Sequence, residues 1–119
     1  MGLRDLLHDL AKSPVEHQAD VLREQSEDAG GDDLTALAPR HPACVCGTVR
    51  TVTLPPRRSV PALVAEVWDG NGSVNLVWIG RRSIAGIEPG VFVRARGRVA
   101  EVRGNPTIFN PSYEIVPKA

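Results

Sequence analysis

The chain contains few of the residues on which several specialised protein classes depend. Of its 119 residues, five are aromatic, two are cysteine and one is methionine. No apolar run approaches the roughly 18 residues that a membrane-spanning helix needs, so we expect no membrane contact. The first apolar stretch, residues 3–11, is interrupted by Asp5 and Asp9, which excludes the apolar core of a signal peptide.

The two cysteines are poorly placed for a structural disulfide. Cys44 and Cys46 are two residues apart, so on a strand both thiols lie on one face, in a geometry that does not favour a bond between them. We therefore expect no disulfide framework and a cytoplasmic location.

The chain also lacks net charge, because 14 Lys and Arg residues balance 14 Asp and Glu residues. The two signs are nevertheless segregated. Residues 1–40 carry four bases and nine acids, a net of −5, whereas residues 41–119 carry ten bases and five acids, a net of +5. This asymmetry predicts an acidic unit followed by a basic unit, and makes the basic unit the expected partner of an anionic ligand.

The acidic unit is predicted to be helical. Four leucines have the i, i+3, i+4, i+7 spacing of one apolar helix stripe: Leu3, Leu6, Leu7 and Leu10. A second helix is predicted from Pro14, with Ser13 as its N-cap and Glu16 completing a capping box, to about Asp28, ahead of two glycines.

The second helix has few residues available for a core. Only Val15, Ala19 and Leu22 are expected to face one. We assign residues 1–28 to an acidic helical N-terminal extension and residues 29–43 to a linker. In that linker, Leu34 and Leu37 are expected to pack against the following domain.

From Cys44 onward, apolar residues alternate with a period of two, which is typical of strands. The pattern predicts five strands separated by turns rich in Pro, Gly and Asn. They are residues 44–51, 62–69, 73–79, 91–102 and 107–116, the last interrupted at Asn110-Pro111. One or two helical turns are expected at 80–87, which gives the order β-β-β-α-β-β.

The turn at 69–72 predicts how the second and third strands pair. With Gly70-Asn71 as a two-residue loop, Trp68 pairs with Ser73 and Leu63 pairs with Trp78. One face is then apolar, and the other carries Val64, Glu66, Trp68, Ser73, Asn75 and Val77. This register places Trp78 in the core and leaves Trp68 exposed or half-exposed, and a slip of one residue would exchange the two.

Several segments together resemble OB-fold nucleic-acid-binding domains. Val45–Val49 resembles their V-x-G-x-V opening, and residues 67–74 resemble their DGTG hairpin. Residues 76–82 and 87–90 resemble the segments that lead into their fourth strand, and residues 96–99 resemble the G-K/R-V motif of that strand. Residues 108–115 resemble the NPxYE close of the wedge domain in the bacterial branched-DNA helicase. With its helical preface, the whole chain is similar to small stand-alone OB-fold nucleic-acid-binding proteins of high-GC Gram-positive bacteria.

The resemblance implies a mainly β fold, in which an N-terminal α-helical segment precedes a five-stranded Greek-key OB-fold barrel at residues 44–117. It also implies a binding face on strands two and three, which is bordered by the loop between strands one and two and the loop between strands four and five. Two features depart from the family: Glu66 places a carboxylate on that face, and aromatic residues are few.

Mapped onto this chain, the candidate nucleic-acid-binding residues are Arg57, Arg58, Trp68, Asn75, Arg81, Arg82 and Arg103. The arginines would contact phosphates and Trp68 would stack on a base. Three structural alternatives remain open. Trp68 can cover the barrel rim, Arg57-Arg58 can be a solvated loop, and the ladder of Arg94, Arg96 and Arg98 can be a solvated face.

The sequence offers little evidence for a catalytic site or a metal site. His41, Cys44 and Cys46 are suitable zinc ligands, but their spacing is irregular and a structural zinc site usually has four ligands. His8, His17 and His41 lie away from any candidate nucleophile, and no loop matches a phosphate or dinucleotide motif. We therefore expect no enzymatic activity, metal or cofactor.

The leading hypothesis is non-specific binding of single-stranded or branched nucleic acid, with DNA favoured and RNA left open. The alternative is a protein-interaction or oligomerisation module, in which the N-terminal helices dock a partner or a second copy and the barrel is a scaffold. In a third possibility, the acidic residues 1–40 fold over the basic barrel and compete with nucleic acid.

Overall fold

The structure is a computed structural model that describes residues 14–56 and 60–117. In these two ranges the chain forms one α-helix and six strands. They are α1 (Pro14–Asp28), β1 (Pro42–Thr53), β2 (Ala62–Trp68), β3 (Ser73–Ile79), β4 (Phe92–Val102), β5 (Asn105–Phe109) and β6 (Ser112–Ile115). The second predicted helix and the third predicted strand have the bounds expected from the sequence. The first predicted helix, which includes Leu3, lies outside the described residues.

The strands form a single sheet in the order β1-β2-β3-β5-β4-β6. An additional antiparallel pairing between β1 and β4 closes the first five of these into a ring. The neighbours in the ring are antiparallel except for β3 and β5, which run parallel from the Asn75–Thr107 pair to the Val77–Phe109 pair. The protein is therefore mainly β, as predicted, with a helix ahead of the strands.

One detail of the predicted element order is wrong. Residues 80–87 form no helix but a series of turns, because Gly80 and Gly86 adopt φ values of 82° and 77°, which are incompatible with a right-handed helix. The predicted interruption of the fifth strand at Asn110-Pro111 is confirmed, and it divides the segment into two strands, β5 and β6, which pair with successive parts of β4. The break falls at Asn110, whose φ of 51° redirects the chain before Pro111.

The interior of the ring is apolar. Alternate residues of each strand point inward, and their side chains are almost entirely buried. Two segments outside the strands complete this core: Leu34 of the linker on one side, and Ile84 with Ile87 from the β3–β4 connection. The predicted packing of Leu34 against the strands is confirmed, with Leu37 partly buried beside it.

The β2–β3 hairpin has the predicted register, including the pairs Trp68–Ser73 and Leu63–Trp78. Gly70, the first of its two loop residues, has a φ of 98°, as a tight hairpin turn requires. Trp78 is 6% exposed, confirming it as a core residue, and its Nε1 donates to the carbonyl oxygen of Pro111 at 3.3 Å. Trp68 is half-buried on the opposite face.

Helix α1 packs against the outside of the ring. Its buried residues are Leu22 and Ser26; Leu22 lies in a small cluster with Cys46 and Phe92, and the Ser26 hydroxyl donates to the Cys46 carbonyl oxygen at 3.2 Å. Leu22 therefore faces a core as predicted, whereas Val15 does not, because it is 68% exposed at the start of the helix.

Candidate nucleic-acid interface

The site predicted from the sequence lies on the outside of β2, β3 and β5, which we call the outer face. The side chains that alternate with the core residues point to this face. They are Ala62, Val64, Glu66 and Trp68 on β2, Ser73, Asn75, Val77 and Ile79 on β3, and Thr107 and Phe109 on β5. The outer face therefore brings together two of the predicted binding residues, Trp68 and Asn75.

Trp68 already has a cationic partner within the chain. The guanidinium carbon of Arg50 lies 4.3 Å from the centroid of the Trp68 ring, which is the geometry of a cation–π contact. Arg50 occupies an irregularity in the β1–β2 register, between the Val49–Val67 and Thr51–Glu66 pairs. Trp68 also packs against the cluster that holds Leu22. One face of the indole is thus covered, and a base can stack there only if Arg50 leaves.

Asn75 lies at the centre of the outer face. It pairs with Glu66 across the hairpin and with Thr107 on the parallel strand, and it is half-buried. Its amide offers both a donor and an acceptor to a ligand. The neighbouring Glu66 carboxylate disfavours a phosphate at this point, so an anionic ligand must place its phosphates toward the ends of β3.

The candidate arginines lie beyond both ends of β3. Arg81 is exposed two residues after β3, and Arg82 donates from Nη1 to the Pro55 carbonyl oxygen at 3.0 Å, which ties it to the segment following β1. Arg103 lies in the turn between β4 and β5, with a φ of 52°, on the side where β3 begins. Arg57 and Arg58 lie outside the described residues.

The arginine ladder of β4 makes structural contacts. Arg94 pairs with Glu114 at 2.7 Å and donates to the Ala29 carbonyl oxygen at 3.1 Å, which connects β4 to β6 and to the end of α1. Arg98 donates to the Arg40 carbonyl oxygen at 2.5 Å. Arg96 lies 3.9 Å from Glu114 and is largely exposed. The carboxylate and carbonyl groups that these three arginines contact all belong to the protein itself. The ladder therefore has a structural explanation that needs no ligand.

The cysteines are free thiols, and burial raises the pKa of Cys46 to about 12. Its Sγ lies 3.8 Å from the Ala29 carbonyl oxygen, beneath the end of α1. Within residues 14–56 and 60–117, no group of three or more His, Cys, Asp or Glu side chains is arranged to hold a metal ion. Over the same ranges, no helix is long and apolar enough to cross a membrane.

Two outer-face features were missed by the sequence analysis. The first is Arg50, because the register irregularity that brings it over Trp68 has no counterpart in the alternating pattern of the sequence. The second is Phe109, which extends the predicted pair of Val64 and Val77 into an apolar row across adjacent strands. Phe109 is 45% exposed, and its place beside Val77 depends on a parallel pairing between distant segments.

No protein-family model matches the chain, and a search of curated proteins finds no match.

Proposed function

We propose that this protein is an OB-fold barrel that binds single-stranded or branched nucleic acid without sequence specificity, with DNA as the expected ligand. The observation that carries the proposal is the outer face itself. Trp68 and Asn75 point outward from the β2–β3 hairpin. Arginines lie beyond both ends of β3, with Arg81 after its last residue and Arg103 on the side of its first residue. Such a surface suits a strand whose bases contact the sheet while its phosphates meet cations.

The strand arrangement supports the OB-fold assignment. Five strands close into a ring by the β1–β4 pairing, and the segments following β1 and β4 lie beyond opposite ends of the outer face. In OB folds the face of strands two and three and the loops after strands one and four form the ligand site. Arg82 contacts the first of these segments through Pro55, and Arg103 lies in the second.

Charge supplies the affinity in this proposal. Residues 41–119 carry ten bases and five acids. Arg94 on β4 has Glu114 of β6 as its partner, whereas Arg81 is exposed beyond β3. Contacts of this kind read the phosphate charge and not the base sequence, so we expect binding that is tolerant of sequence and sensitive to salt.

The alternative function, a protein-interaction module, required an apolar helix surface that is free to bind a partner. Leu22, the best apolar candidate of the second helix, is 6% exposed because it packs within the chain. Arg23 also connects the helix to the hairpin, donating from Nη1 to Asn71 Oδ1 at 2.8 Å. The inner face of α1 is therefore already occupied by the protein's own strands.

The proposal is tested by fluorescence anisotropy with labelled single-stranded, duplex and forked DNA oligonucleotides at several salt concentrations. We expect binding to the single-stranded and forked probes, with log K falling against log salt by about 0.7 for each phosphate contacted. An RNA strand of the same sequence distinguishes DNA from RNA.

Charge variants provide the matched comparison. Arg81→Glu and Arg103→Asn remove cations at the two ends of the outer face, and asparagine tolerates the positive φ at position 103. Arg96→Glu makes the same charge reversal as Arg81→Glu, but on β4, which pairs with neither β2 nor β3. Weakening by all three variants equally, or no binding by the wild type at low salt, would overturn the proposal.

A further inference from the structure

The outer face divides into two unlike halves along its strands. The half near the hairpin turn carries Trp68, Ser73 and Asn75, whereas the half near the end of β3 is apolar. There Val64, Val77 and Phe109 lie side by side across β2, β3 and β5. Val77 is only 9% exposed because it is flanked on both sides, while Phe109 presents 45% of its surface.

The two outer-face aromatics differ in availability. The Trp68 ring has Arg50 over one face and packs against the cluster beneath α1. Among the described residues, no aromatic stacking or cation–π contact engages the Phe109 ring, which lines a cavity with Pro39, Arg40 and Arg98. An incoming base meets an open ring at Phe109 and an occupied one at Trp68.

Phe109 is also held firmly by the residue that follows it. The Asn110 N–H donates to the Val77 carbonyl oxygen at 2.6 Å, and Asn110 Oδ1 accepts the Ile79 N–H at 2.9 Å. These bonds fasten the end of β5 to the end of β3 on both sides of Trp78. A platform that is ordered before binding loses little conformational entropy when a ligand stacks on it.

Cations lie next to this apolar row. Arg81 follows Ile79 by two residues, so its backbone begins within about 7 Å of the end of β3. Arg82 is fixed nearby through Pro55. The Phe109 ring, which is 45% exposed, and the arginines that follow β3 suit a base and its phosphate.

We infer that Phe109, with Val77 and Val64 beside it, is the base-stacking platform of this protein, and that its ligand is a strand with an unpaired base. The inference rests on the proposed function and narrows it. A duplex hides both faces of its interior bases, so this platform favours single strands and the unpaired arms of forks over duplex. Because every base has a π-face, binding is tolerant of sequence.

The test is an anisotropy titration of a labelled 15-residue oligothymidine and of a duplex of equal length. Phe109→Ala is expected to weaken oligothymidine binding roughly 5- to 150-fold, the range given by loss of one base stack, with the salt dependence unchanged. Phe109→Tyr should retain the affinity. Phe109→Leu keeps an apolar side chain without a π-face and should bind nearly as weakly as the alanine variant.

The control is Ile115→Ala, which removes a similarly exposed apolar side chain, 39% exposed, from the end of β6. It should bind like the wild type. Wild-type-like binding by Phe109→Leu would overturn the stacking platform while leaving the proposed function intact, whereas absence of binding by the wild type would overturn both. If light scattering shows that the wild type self-associates and that Phe109→Ala does not, while the DNA affinity of this variant is unchanged, the apolar row is a contact between protein copies. That result would also overturn the inference.

Discussion

The guanidinium group of Arg50 covers the indole ring of Trp68, with 4.3 Å between the guanidinium carbon and the ring centroid. Arg50→Ala is expected to make Trp68 more accessible to acrylamide and to shift its emission to longer wavelength, because the cation–π contact is lost. Trp68→Phe identifies the contribution of the buried Trp78 to the signal. Arg81→Ala is the control, and equal quenching in Arg50→Ala and the wild type would contradict the contact.

Helix α1 and the hairpin approach so closely at Gly70 that a Cβ there would collide with the Ala19 carbonyl oxygen. Gly80 offers a matched comparison, because it also has a positive φ but has open space around it. Gly80→Ala should cost about 1–2 kcal/mol of unfolding free energy through backbone strain alone. Gly70→Ala should cost more and release the helix, measured by urea denaturation and by proteolysis after Arg23. Equal costs would show that the helix does not pack against this turn.

The buried Asp69 carboxylate connects the hairpin to the linker. It accepts N–H bonds from Asn71 and Gly72 at 2.9 Å and from Leu34 at 3.3 Å. Asp69→Ala should lower the unfolding free energy by about 3 kcal/mol, since buried donors lose a charged acceptor. Asp33→Ala, which removes an exposed carboxylate bonded locally to Thr35, should have far less effect. Similar denaturation midpoints for the two variants would refute this role.

The Cys46 thiol should make the fold sensitive to alkali. Its pKa is raised to about 12, chiefly by burial, whereas an unfolded thiol ionises near pH 9. Between these values the unfolded chain has lost a proton that the folded chain retains, so stability falls as pH rises, by at most about 1.4 kcal/mol per pH unit. Cys46→Ala should reduce this slope in urea titrations from pH 8 to 11. A slope equal to that of the wild type would contradict the assignment.

The acidic surface of α1 should weaken nucleic-acid binding by repulsion, because the helix lies beside the Trp68 end of the outer face. Removing residues 1–40 is a poor test, since it also deletes Leu22 and the core residue Leu34. Glu24→Gln with Glu27→Gln keeps the fold, because both side chains are exposed. We expect tighter binding at low salt and no difference at high salt, with Glu88→Gln as the control for removal of a distant charge.

The parts of the fold that could be predicted are those set by local chemistry. The turn at 69–72 fixed the register of β2 and β3 residue by residue, since Gly70 supplies the positive φ that a two-residue loop needs. The capping pattern similarly identified α1. Its packing was predicted only in part, because Leu22 is buried and Val15 is not.

The remainder depended on contacts between distant segments. The irregularity at Arg50 arises from pairing with β2, and the exposure of Phe109 beside Val77 arises from a parallel pair whose strands are separated by the whole of β4. At residues 80–87, the turns are stabilised by burying Ile84 and Ile87, which a helical pattern also permits. The sequence therefore predicted which face of the sheet forms the candidate site, but it did not predict that Phe109 is the most exposed aromatic residue on that face.

The position of β5 between β3 and β4 has a consequence for how the protein is made. The ring closes only when residues 105–109 insert between two strands that precede them in the chain. During synthesis, a nascent chain that ends in β4 exposes an unpaired edge of β3, where another chain can add a strand. Completion of the fold, and protection from aggregation at that edge, must therefore await release of β5 from the ribosome.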